Sequence, residues 1–215
     1  MNESDIRRDL VDHARRMNDL GINQGRSGNV SVRWEDGFLV TPSAIAYDDM
    51  RPDDVVRVRS DGTSEGDHAP STEWRLHRDI YRHRADAAAI VHAHAMFATT
   101  LACLNRGIPA FHYMVAVAGG TDLRCAPYAT FGTQELSDRA LTALDGRRAC
   151  LHAHHGMTVF ADSLPAALAL AVEVETLAAM YWRALQIGEP AVLSGEEMKT
   201  VLEKFTHYGR GGPAR

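Results

Sequence analysis

The strongest constraint on this chain is a short apolar segment that carries two histidines, Ile90-Val91-His92-Ala93-His94. Its apolar residues predict a buried strand, in which residues i and i+2 point to the same face. His92 and His94 would therefore direct two imidazole rings to one point. A divalent metal ion needs such convergence, because its nitrogen ligands lie about 2.0–2.1 Å away. Two histidines in this pattern also occur without a metal, so the interpretation depends on what else the chain offers.

A second apolar segment ends in histidines, Ala149-Cys150-Leu151-His152-Ala153-His154-His155-Gly156. Strand alternation would place His152 and His154 on one face and His155 on the other, so at most one of these sets lines a given site. A third histidine beside His92 and His94 would leave the fourth metal position open. Three histidines with an open position are typical of catalytic zinc, whereas structural zinc sites are closed and usually rich in cysteine.

The stretch Pro70-Ser71-Thr72-Glu73 predicts the start of a helix. Ser71 or Thr72 suits its N-cap, and the free N–H groups of a first turn suit a phosphate. The helix dipole would stabilise Glu73 in that turn. Next to an open metal ion, a carboxylate base would support proton transfer beside a carbonyl group, which is enediolate chemistry. We expect His77, further along this helix, to lie on the surface without a role.

Two turns rich in small residues suit an anion. The loop 23–29 leads into a predicted strand, and its Gly28 and Asn29 could offer backbone N–H groups and an amide, although they equally suit a tight turn without a ligand. Thr41-Pro42-Ser43-Ala44 is a second such turn, at the far end of a hairpin whose own turn is Asp36-Gly37. A phosphate site near the histidines would indicate a phosphorylated sugar or triose as substrate.

The rest of the chain reads mostly as helices that pack against a sheet. We expect a first helix capped by Ser4 and ended by Gly21, and cannot assign residues 109–120 to strand or helix. No linker or repeat interrupts the pattern, which predicts one domain over residues 1–215 with a flexible tail at about 209–215. Further helices are predicted at residues 96–104, 134–144, 165–186 and 194–208.

Composition narrows the class of protein. Its 215 residues are 45% hydrophobic and 24% charged, and a net charge of −5 argues against a nucleic-acid partner. Three widely spaced cysteines are typical of reduced core residues in a cytoplasmic protein. We find neither a secretory leader nor an apolar run long enough to span a bilayer, so we expect cytoplasmic localisation and no membrane partner.

Taken together, the motifs are similar to those of the class II aldolase/adducin family, from about Leu20 to Tyr208. The resemblance rests on these segments: Gly28-Asn29-Val30-Ser31-Val32, Ser71-Thr72-Glu73-Trp74-Arg75, Val91-His92-Ala93-His94, Ile108-Pro109-Ala110-Phe111-His112-Tyr113-Met114, Cys125-Ala126-Pro127-Tyr128-Ala129-Thr130-Phe131-Gly132-Thr133 and His154-His155-Gly156. It implies an α/β fold of three layers, α/β/α, with a mostly antiparallel central sheet. It also implies a four-fold symmetric homotetramer with active sites at subunit interfaces.

The resemblance also assigns residues. It implies one Zn²⁺ per subunit held by His92, His94 and His155, with Glu73 as the catalytic acid/base and as a further ligand when no substrate is bound. Tyr113 would reach in from the neighbouring subunit as a catalytic residue. The resemblance places the phosphate site at Gly28, Asn29, Ser43, Ala44, Ser71 and Thr72, and the aldehyde pocket at Phe131, Phe205 and Tyr208.

One departure from the family concerns the second phosphate turn. Where the family has threonine and glycine, this chain has Ser43 and Ala44. The serine keeps a hydroxyl group. Ala44 has a Cβ atom, so it is strained if the turn needs a positive φ.

The implied reaction is reversible cleavage of a ketose 1-phosphate, such as L-fuculose 1-phosphate, to dihydroxyacetone phosphate and an aldehyde. Alternatives are an aldolase for 5-deoxyribulose or 5-methylthioribulose 1-phosphate, and then a pentulose-phosphate 4-epimerase or a dehydratase. The epimerase commonly has aspartate where Glu73 stands. A non-catalytic adducin-like scaffold is the remotest alternative, because such heads lack the histidines.

Overall fold

The structure of the chain is a computed structural model that describes residues 2–207. Tyr208 and the tail at 209–215 lie outside the described residues. The helices are α1 Glu3–Asp19, α2 Trp74–His83, α3 Met96–Cys103, α4 Gln134–Ala143, α5 Leu164–Ile187 and α6 Gly195–His207. The strands are β1 Asn29–Trp34, β2 Gly37–Val40, β3 Val56–Arg59, β4 Ser64–Glu65, β5 Ala89–Ala93, β6 Arg124–Ala126, β7 Ala149–His152 and β8 Gly156–Ala161.

Those eight strands form one sheet in the order β4-β3-β2-β1-β5-β8-β7-β6. Every neighbouring pair is antiparallel except β6 and β7, which are parallel. Strand β5 lies at the centre, where Asn29 of β1 pairs with His92 on one side and Thr158 of β8 pairs with His92 on the other. The mostly antiparallel sheet predicted from the family resemblance is confirmed.

Helices cover both faces of this sheet, which confirms the three-layer α/β/α architecture. On one face, buried residues of α1, α3 and α5 pack against Val91 and Val159. On the other face, Leu76 and Ile80 of α2 pack with α4 against Ile90. Neighbouring residues of β5 therefore enter opposite cores. This two-sided burial explains why the strand is a continuous apolar run rather than an alternating one.

Helix α5 differs from the expectation that no segment is apolar enough for a bilayer. By length and composition alone it could cross a membrane, although 56% of its most apolar stretch is buried inside the fold. The core helix of a globular protein meets the same criterion. A single helix of this kind is therefore weak support for a membrane span.

One local prediction needs correction. Asn2, not Ser4, caps α1, because its side chain accepts the N–H of Asp5 while Asp5 bonds back to the Asn2 N–H. This reciprocal capping box satisfies two donors that a serine two residues later would leave free. The unassigned stretch 109–120 contains a 3₁₀ helix, Tyr113–Ala118. A second capping box begins α6, where Ser194 and Glu197 each accept the backbone N–H of the other.

Candidate active site

The three histidines meet where β5 ends and the turn into β8 begins. His92 lies in β5, His94 follows its last residue, and His155 lies in the turn between β7 and β8. Because β5 and β8 are paired, this turn returns beside the end of β5. Gly156 permits the approach, since a Cβ atom there would lie 2.5 Å from the carbonyl oxygen of Ala93. One ligand atom from each histidine lies within 4.8 Å of the others.

Backbone conformation explains why His155, and not its neighbour, joins the cluster. His154 adopts a left-handed conformation with φ 57°, which is unusual for a residue with a side chain. The chain therefore leaves strand alternation at this point, and His154 is exposed while His155 is half-buried. Strand alternation left the choice of histidine open, and the turn decides it.

Glu73 faces this histidine cluster from the sequence position just before α2. Its side chain is buried, and one carboxylate oxygen, Oε2, lies 3.1 Å from Nε2 of His92. The other oxygen, Oε1, lies 3.3 Å from Nε2 of His155 and accepts no hydrogen bond among the described residues. Glu73 is itself the N-cap residue of α2, so the expected caps Ser71 and Thr72 are wrong. The Ser71 hydroxyl instead accepts the Glu73 N–H at 3.3 Å.

Charge states at the cluster suit a cation. Burial, reinforced by the nearby His92, lowers the pKa of His94 and that of His155 to about 4 each, so both imidazoles are neutral at pH 7. Burial by itself would raise the pKa of Glu73, but its electrostatic interaction and hydrogen bond with His92 and its electrostatic interaction with His155 together hold that pKa far below its usual range. Neutral imidazoles beside a carboxylate are the forms that bind a metal ion.

The spacing of the donors also fits a metal ion. Nε2 of His92 and Nε2 of His94 are 3.2 Å apart. Two ligands at about 2.0–2.1 Å from a tetrahedral ion lie about 3.3 Å from each other. Three imidazoles and one carboxylate oxygen without a hydrogen-bond partner form a donor set for a divalent transition metal. His92, His94, His155 and Glu73 are thus the residues that could hold one.

A second layer of hydrogen bonds supports His92. Its Nδ1 lies 3.1 Å from the hydroxyl of Thr158, and that hydroxyl lies 2.7 Å from Nε2 of His152. If Nε2 of His92 binds a metal, Nδ1 carries the proton and donates a hydrogen bond to the hydroxyl of Thr158. That hydroxyl then donates a hydrogen bond to Nε2 of His152. His152 is fully buried, and its role was not predicted because strand alternation gives only the side of the sheet.

We expect replacement of Thr158 with valine to weaken metal affinity about 10- to 100-fold, the usual effect of removing a partner of a ligating histidine. Valine has nearly the same shape but cannot accept the Nδ1–H of His92. A competition titration of the metal-free protein with zinc and a chromophoric chelator would measure the loss. Thr158→Ser retains the hydroxyl and should bind zinc like the unaltered chain; equal affinity of the valine variant would refute this role for Thr158.

Comparison with known proteins identifies the family. The sequence profile described as "Class II Aldolase and Adducin N-terminal domain" matches residues 8–182, most of the chain. This chain belongs to that family. Over 204 residues it is 56% identical to the 5-methylthioribulose-1-phosphate/5-deoxyribulose-1-phosphate aldolase of Rhodospirillum rubrum, covering 95% of this chain and 92% of the relative.

Two further matches span nearly the whole aldolase chain. It is 48% identical over 210 residues to the L-fuculose phosphate aldolase of Escherichia coli K12, covering 97% of this chain and 98% of the relative. A solved structure of L-fuculose 1-phosphate aldolase superposes with a TM-score of 0.92 at 41% identity, covering 96% and 98% of the two chains. The resemblance and the fold expected from it are confirmed, and the chain is a lyase of the class II aldolase type.

The structure of this aldolase brings the predicted phosphate turns together. The N–H of Ser71 donates to the carbonyl of Thr41 at 3.0 Å, and the N–H of Ser43 donates to that of Ala69 at 2.9 Å. The side chain of Arg26 joins the first loop to the second turn through the carbonyl oxygen of Ala44, at 2.8 Å. Three loops thus meet on the side of the sheet where Asn29 contacts Glu73.

Glycine at position 28 is required by close packing in the first of these loops. A Cβ atom there would lie 2.5 Å from the carbonyl oxygen of His92 and 2.7 Å from Oδ1 of Asn23. Beside the third loop, which contains Ser71 and Thr72, Gly132 approaches Thr72 closely, because a Cβ atom at 132 would lie 2.9 Å from the Thr72 carbonyl oxygen. Phe131, exposed at the surface, is therefore next to the Thr72 turn.

Ala44 adopts φ 66°, so the condition under which we expected strain is met. Glycine has no Cβ penalty in this conformation, and we expect Ala44→Gly to raise the free energy of unfolding by roughly 0.5–1 kcal/mol. Urea unfolding followed by circular dichroism would measure the change. Ala46 is also exposed but does not have a positive φ, so Ala46→Gly should lower stability. A destabilising Ala44→Gly would contradict the assignment of strain.

Tyr113 and Phe205 are placed apart from the metal cluster. Together with Met114, Val201 and Lys204 they line a cavity of about 520 Å³, which none of the three histidines lines. Tyr113 is half-exposed, at 50%. Within a single chain the structure therefore assembles the metal donors and the phosphate turns, but not the predicted tyrosine.

His77 was expected on the surface of α2, and this expectation is wrong. It is fully buried and forms hydrogen bonds through both ring nitrogens, to Ser31 and to Asn29. A signal was present in the sequence, because Glu73, His77 and Tyr81 are spaced by four residues and share one helix face. Helical spacing shows which residues share a face, but it does not show that the face is covered by a polar strand.

Proposed function

We propose that this chain is a zinc-dependent aldolase that cleaves a ketose 1-phosphate between C3 and C4, releasing dihydroxyacetone phosphate and an aldehyde. The observation that carries the proposal is the convergence of His92, His94 and His155 on the buried carboxylate of Glu73. The homology to named aldolases over nearly the whole chain supports the same reaction class. A cytoplasmic location, one zinc ion per subunit and a homotetramer are part of the proposal.

Within this proposal, bound zinc would polarise the substrate carbonyl and stabilise the negative charge that develops on its oxygen. When the C3–C4 bond breaks, its electron pair stays with the dihydroxyacetone phosphate fragment, and the C4 hydroxyl loses a proton to become the aldehyde. Glu73, ionised in the resting site, takes up a proton from solvent and delivers it to C3 of the fragment, while the proton lost by the C4 hydroxyl returns to solvent. Overall one proton moves from the C4 hydroxyl to C3, and nothing is oxidised or reduced.

Tyr113 would accept the proton of the C4 hydroxyl, directly or through water, from its place on the neighbouring subunit. The separation of Tyr113 from the metal cluster within one chain supports this arrangement, as does its half-exposed position beside Phe205. Phe131, Phe205 and Tyr208 would form the wall around the aldehyde. Such a site would be complete only in the homotetramer.

The substrate phosphate would bind where the three loops meet. Asn29 and Ser71 are buried there beside Glu73, and Gly28 brings backbone close to His92. Backbone N–H groups and hydroxyl groups are suitable donors to a phosphate. The remaining members of this proposed site are Ser43, Ala44 and Thr72.

Two groups of substrates differ only in the aldehyde. The relative at 56% identity is named for 5-methylthioribulose and 5-deoxyribulose 1-phosphates, and the one at 48% for L-fuculose phosphate. The higher identity favours the 5-deoxy and 5-methylthio pentuloses, which reverses the order expected from the sequence. The dihydroxyacetone phosphate half is common to all three.

The test is release of dihydroxyacetone phosphate, followed with a coupled dehydrogenase, from 5-deoxyribulose, 5-methylthioribulose and L-fuculose 1-phosphates. Each substrate is assayed with the zinc-loaded protein, with the chelator-treated protein and after zinc is restored. We expect chelator-sensitive release that zinc restores, fastest with one of the two pentuloses. No release by the zinc-loaded protein from any of them would reject aldol cleavage, and epimerase or dehydratase chemistry would be tested next.

A further inference from the structure

A chain of five polar side chains runs through the buried layer between α2 and the sheet and ends at Glu73. The hydroxyl of Tyr81 lies 2.8 Å from that of Ser31, which lies 2.6 Å from Nδ1 of His77. Nε2 of His77 lies 2.5 Å from Oδ1 of Asn29. Nδ2 of Asn29 then donates to Oε2 of Glu73 at 2.9 Å. We refer to these five residues as the α2–β1 relay.

The relay follows from two periodicities in the sequence. Glu73, His77 and Tyr81 are four residues apart and therefore lie on one face of α2 and its N-cap. Asn29 and Ser31 are two residues apart on β1 and point to the same side of the sheet. Where this helix face packs on this strand face, the polar side chains alternate between the two elements.

A carboxylate at one end fixes the direction of every hydrogen bond. Glu73 can only accept, so Asn29 turns its Nδ2 towards Glu73 and its Oδ1 towards His77. Nε2 of His77 must then carry the proton. Burial, with a smaller contribution from His92, lowers the pKa of His77 to about 3, so the ring is neutral and its Nδ1 accepts. The hydroxyl of Ser31 donates to Nδ1, and the hydroxyl of Tyr81 donates to Ser31.

No alternative orientation of Asn29 satisfies the same partners. If the amide were reversed, its oxygen would meet the carboxylate of Glu73, and its NH₂ group would meet Nε2 of His77, which would then have to carry its proton on Nδ1 instead. All five residues are buried, so water could not relieve the repulsion between the amide oxygen and the carboxylate. Glu73 therefore sets the orientation of Asn29, and the Nε2–H of His77 holds Asn29 in that orientation by donating to its Oδ1.

We propose that His77 is a positioning residue of the active site, which acts through Asn29 to hold the Glu73 carboxylate for proton transfer. This inference rests on the proposed aldolase function. Asn29 holds Oε2 of Glu73, while Oε1 has no hydrogen-bond donor among the described residues and faces His155. The relay thereby fixes which carboxylate oxygen is available to the reacting carbon.

The experiment compares two substitutions of His77 in the zinc-loaded protein. His77→Leu removes both hydrogen bonds, and we expect kcat for dihydroxyacetone phosphate release to fall about 10- to 100-fold, because small displacements of a catalytic group have effects of this size. KM should change less than kcat, and the zinc content should be unaltered. His77→Gln retains a donor near the position of Nε2, so it should recover kcat to within about fivefold of the unaltered chain.

A double-mutant cycle tests whether His77 acts through Asn29. If it does, His77→Leu should add little to the loss already caused by Asn29→Ala. Ser137→Ala is the matched control, because the buried hydroxyl of Ser137 bonds to Asp79 on the same helix at 2.7 Å but is not part of the relay. It should lower stability and leave kcat unchanged.

If His77→Leu fails to fold, Ser31→Ala takes its place, since it removes only the hydroxyl that donates to Nδ1 of His77. Unchanged kcat in a folded His77→Leu or Ser31→Ala variant would overturn this inference and leave the proposed function intact. Loss of zinc from these variants, or full additivity with Asn29→Ala, would overturn it as well. No release by the unaltered protein would instead reject the proposed function, and this inference with it.

Discussion

Replacing Glu73 with glutamine should reduce release of dihydroxyacetone phosphate by about 10³-fold or more, while zinc remains bound. Glutamine has the size of glutamate, but its amide cannot take up and deliver a proton at the pH of the reaction, and a well-placed general acid/base contributes about 10²–10⁴-fold. His92, His94 and His155 are untouched and still provide three ligands. The measurements are kcat in the coupled assay and zinc per chain in the purified variant.

Glu175→Gln is a suitable control for this substitution. Glu175 is a partly buried carboxylate, and its oxygens accept the backbone N–H groups of Phe97 and Ala98 at the start of α3. Replacing the Glu175 carboxylate with an amide should lower the free energy of unfolding without changing kcat. If the Glu73→Gln variant retains more than a tenth of the activity, Glu73 is not the proton donor. If it loses zinc, its role is that of a ligand.

The histidines that form the candidate metal site could be predicted only in part. Strand alternation is a property of the backbone, so His92 and His94 could be placed together from sequence alone. The third histidine could not be chosen this way, because the left-handed conformation of His154 interrupts the alternation just before His155. Only the family resemblance indicated His155. Turn geometry depends on how β7 and β8 pair, which a single strand pattern does not specify.

The fold was predictable where periodicity is strong and less so at the ends of elements. Helices α4 and α5 were anticipated within a few residues. The short strand β6 was not, because its three residues carry no detectable alternation. Glu73 was expected in the first turn of α2 but is its N-cap, because serine and threonine are statistically the better caps and Ser71 or Thr72 was expected there. The Ser71 hydroxyl still accepts an N–H at this helix start, but it is the N–H of Glu73 itself.

His77 shows the limit of helical periodicity for buried polar residues. A polar face of a helix is usually solvated, so a histidine there is assigned to the surface by default. In this chain the strand residues Asn29 and Ser31 are polar too, and the two polar faces pack on each other. Such complementarity becomes visible only when the helix and the strand are known to be in contact.

The adjacent histidines His154 and His155 provide a sharp test of the metal site. His155→Ala removes a ligand, and we expect zinc affinity to fall more than about 100-fold, beyond the usual effect of losing a supporting residue. Release of dihydroxyacetone phosphate should fall by about 10³-fold, since a metal ion that stabilises developing charge contributes several kcal/mol. Treatment of the unaltered protein with a chelator should produce the same loss, which added zinc reverses.

His154→Gly is the matched variant one residue away. Its imidazole is exposed, lies 3.5 Å from the side chain of Asn105 and meets the ring of Tyr128 edge-on at 6.0 Å between centroids. Neither neighbour belongs to the metal cluster, so zinc affinity and kcat should remain unchanged. Because glycine accepts φ 57° without strain, the free energy of unfolding should rise by roughly 0.5–1 kcal/mol. If His155→Ala loses zinc and His154→Gly keeps it, zinc binding depends on the turn geometry that directs His155 to the cluster, not on the number of histidines in the turn. Loss of zinc in His154→Gly, with retention in His155→Ala, would show that the wrong histidine has been assigned.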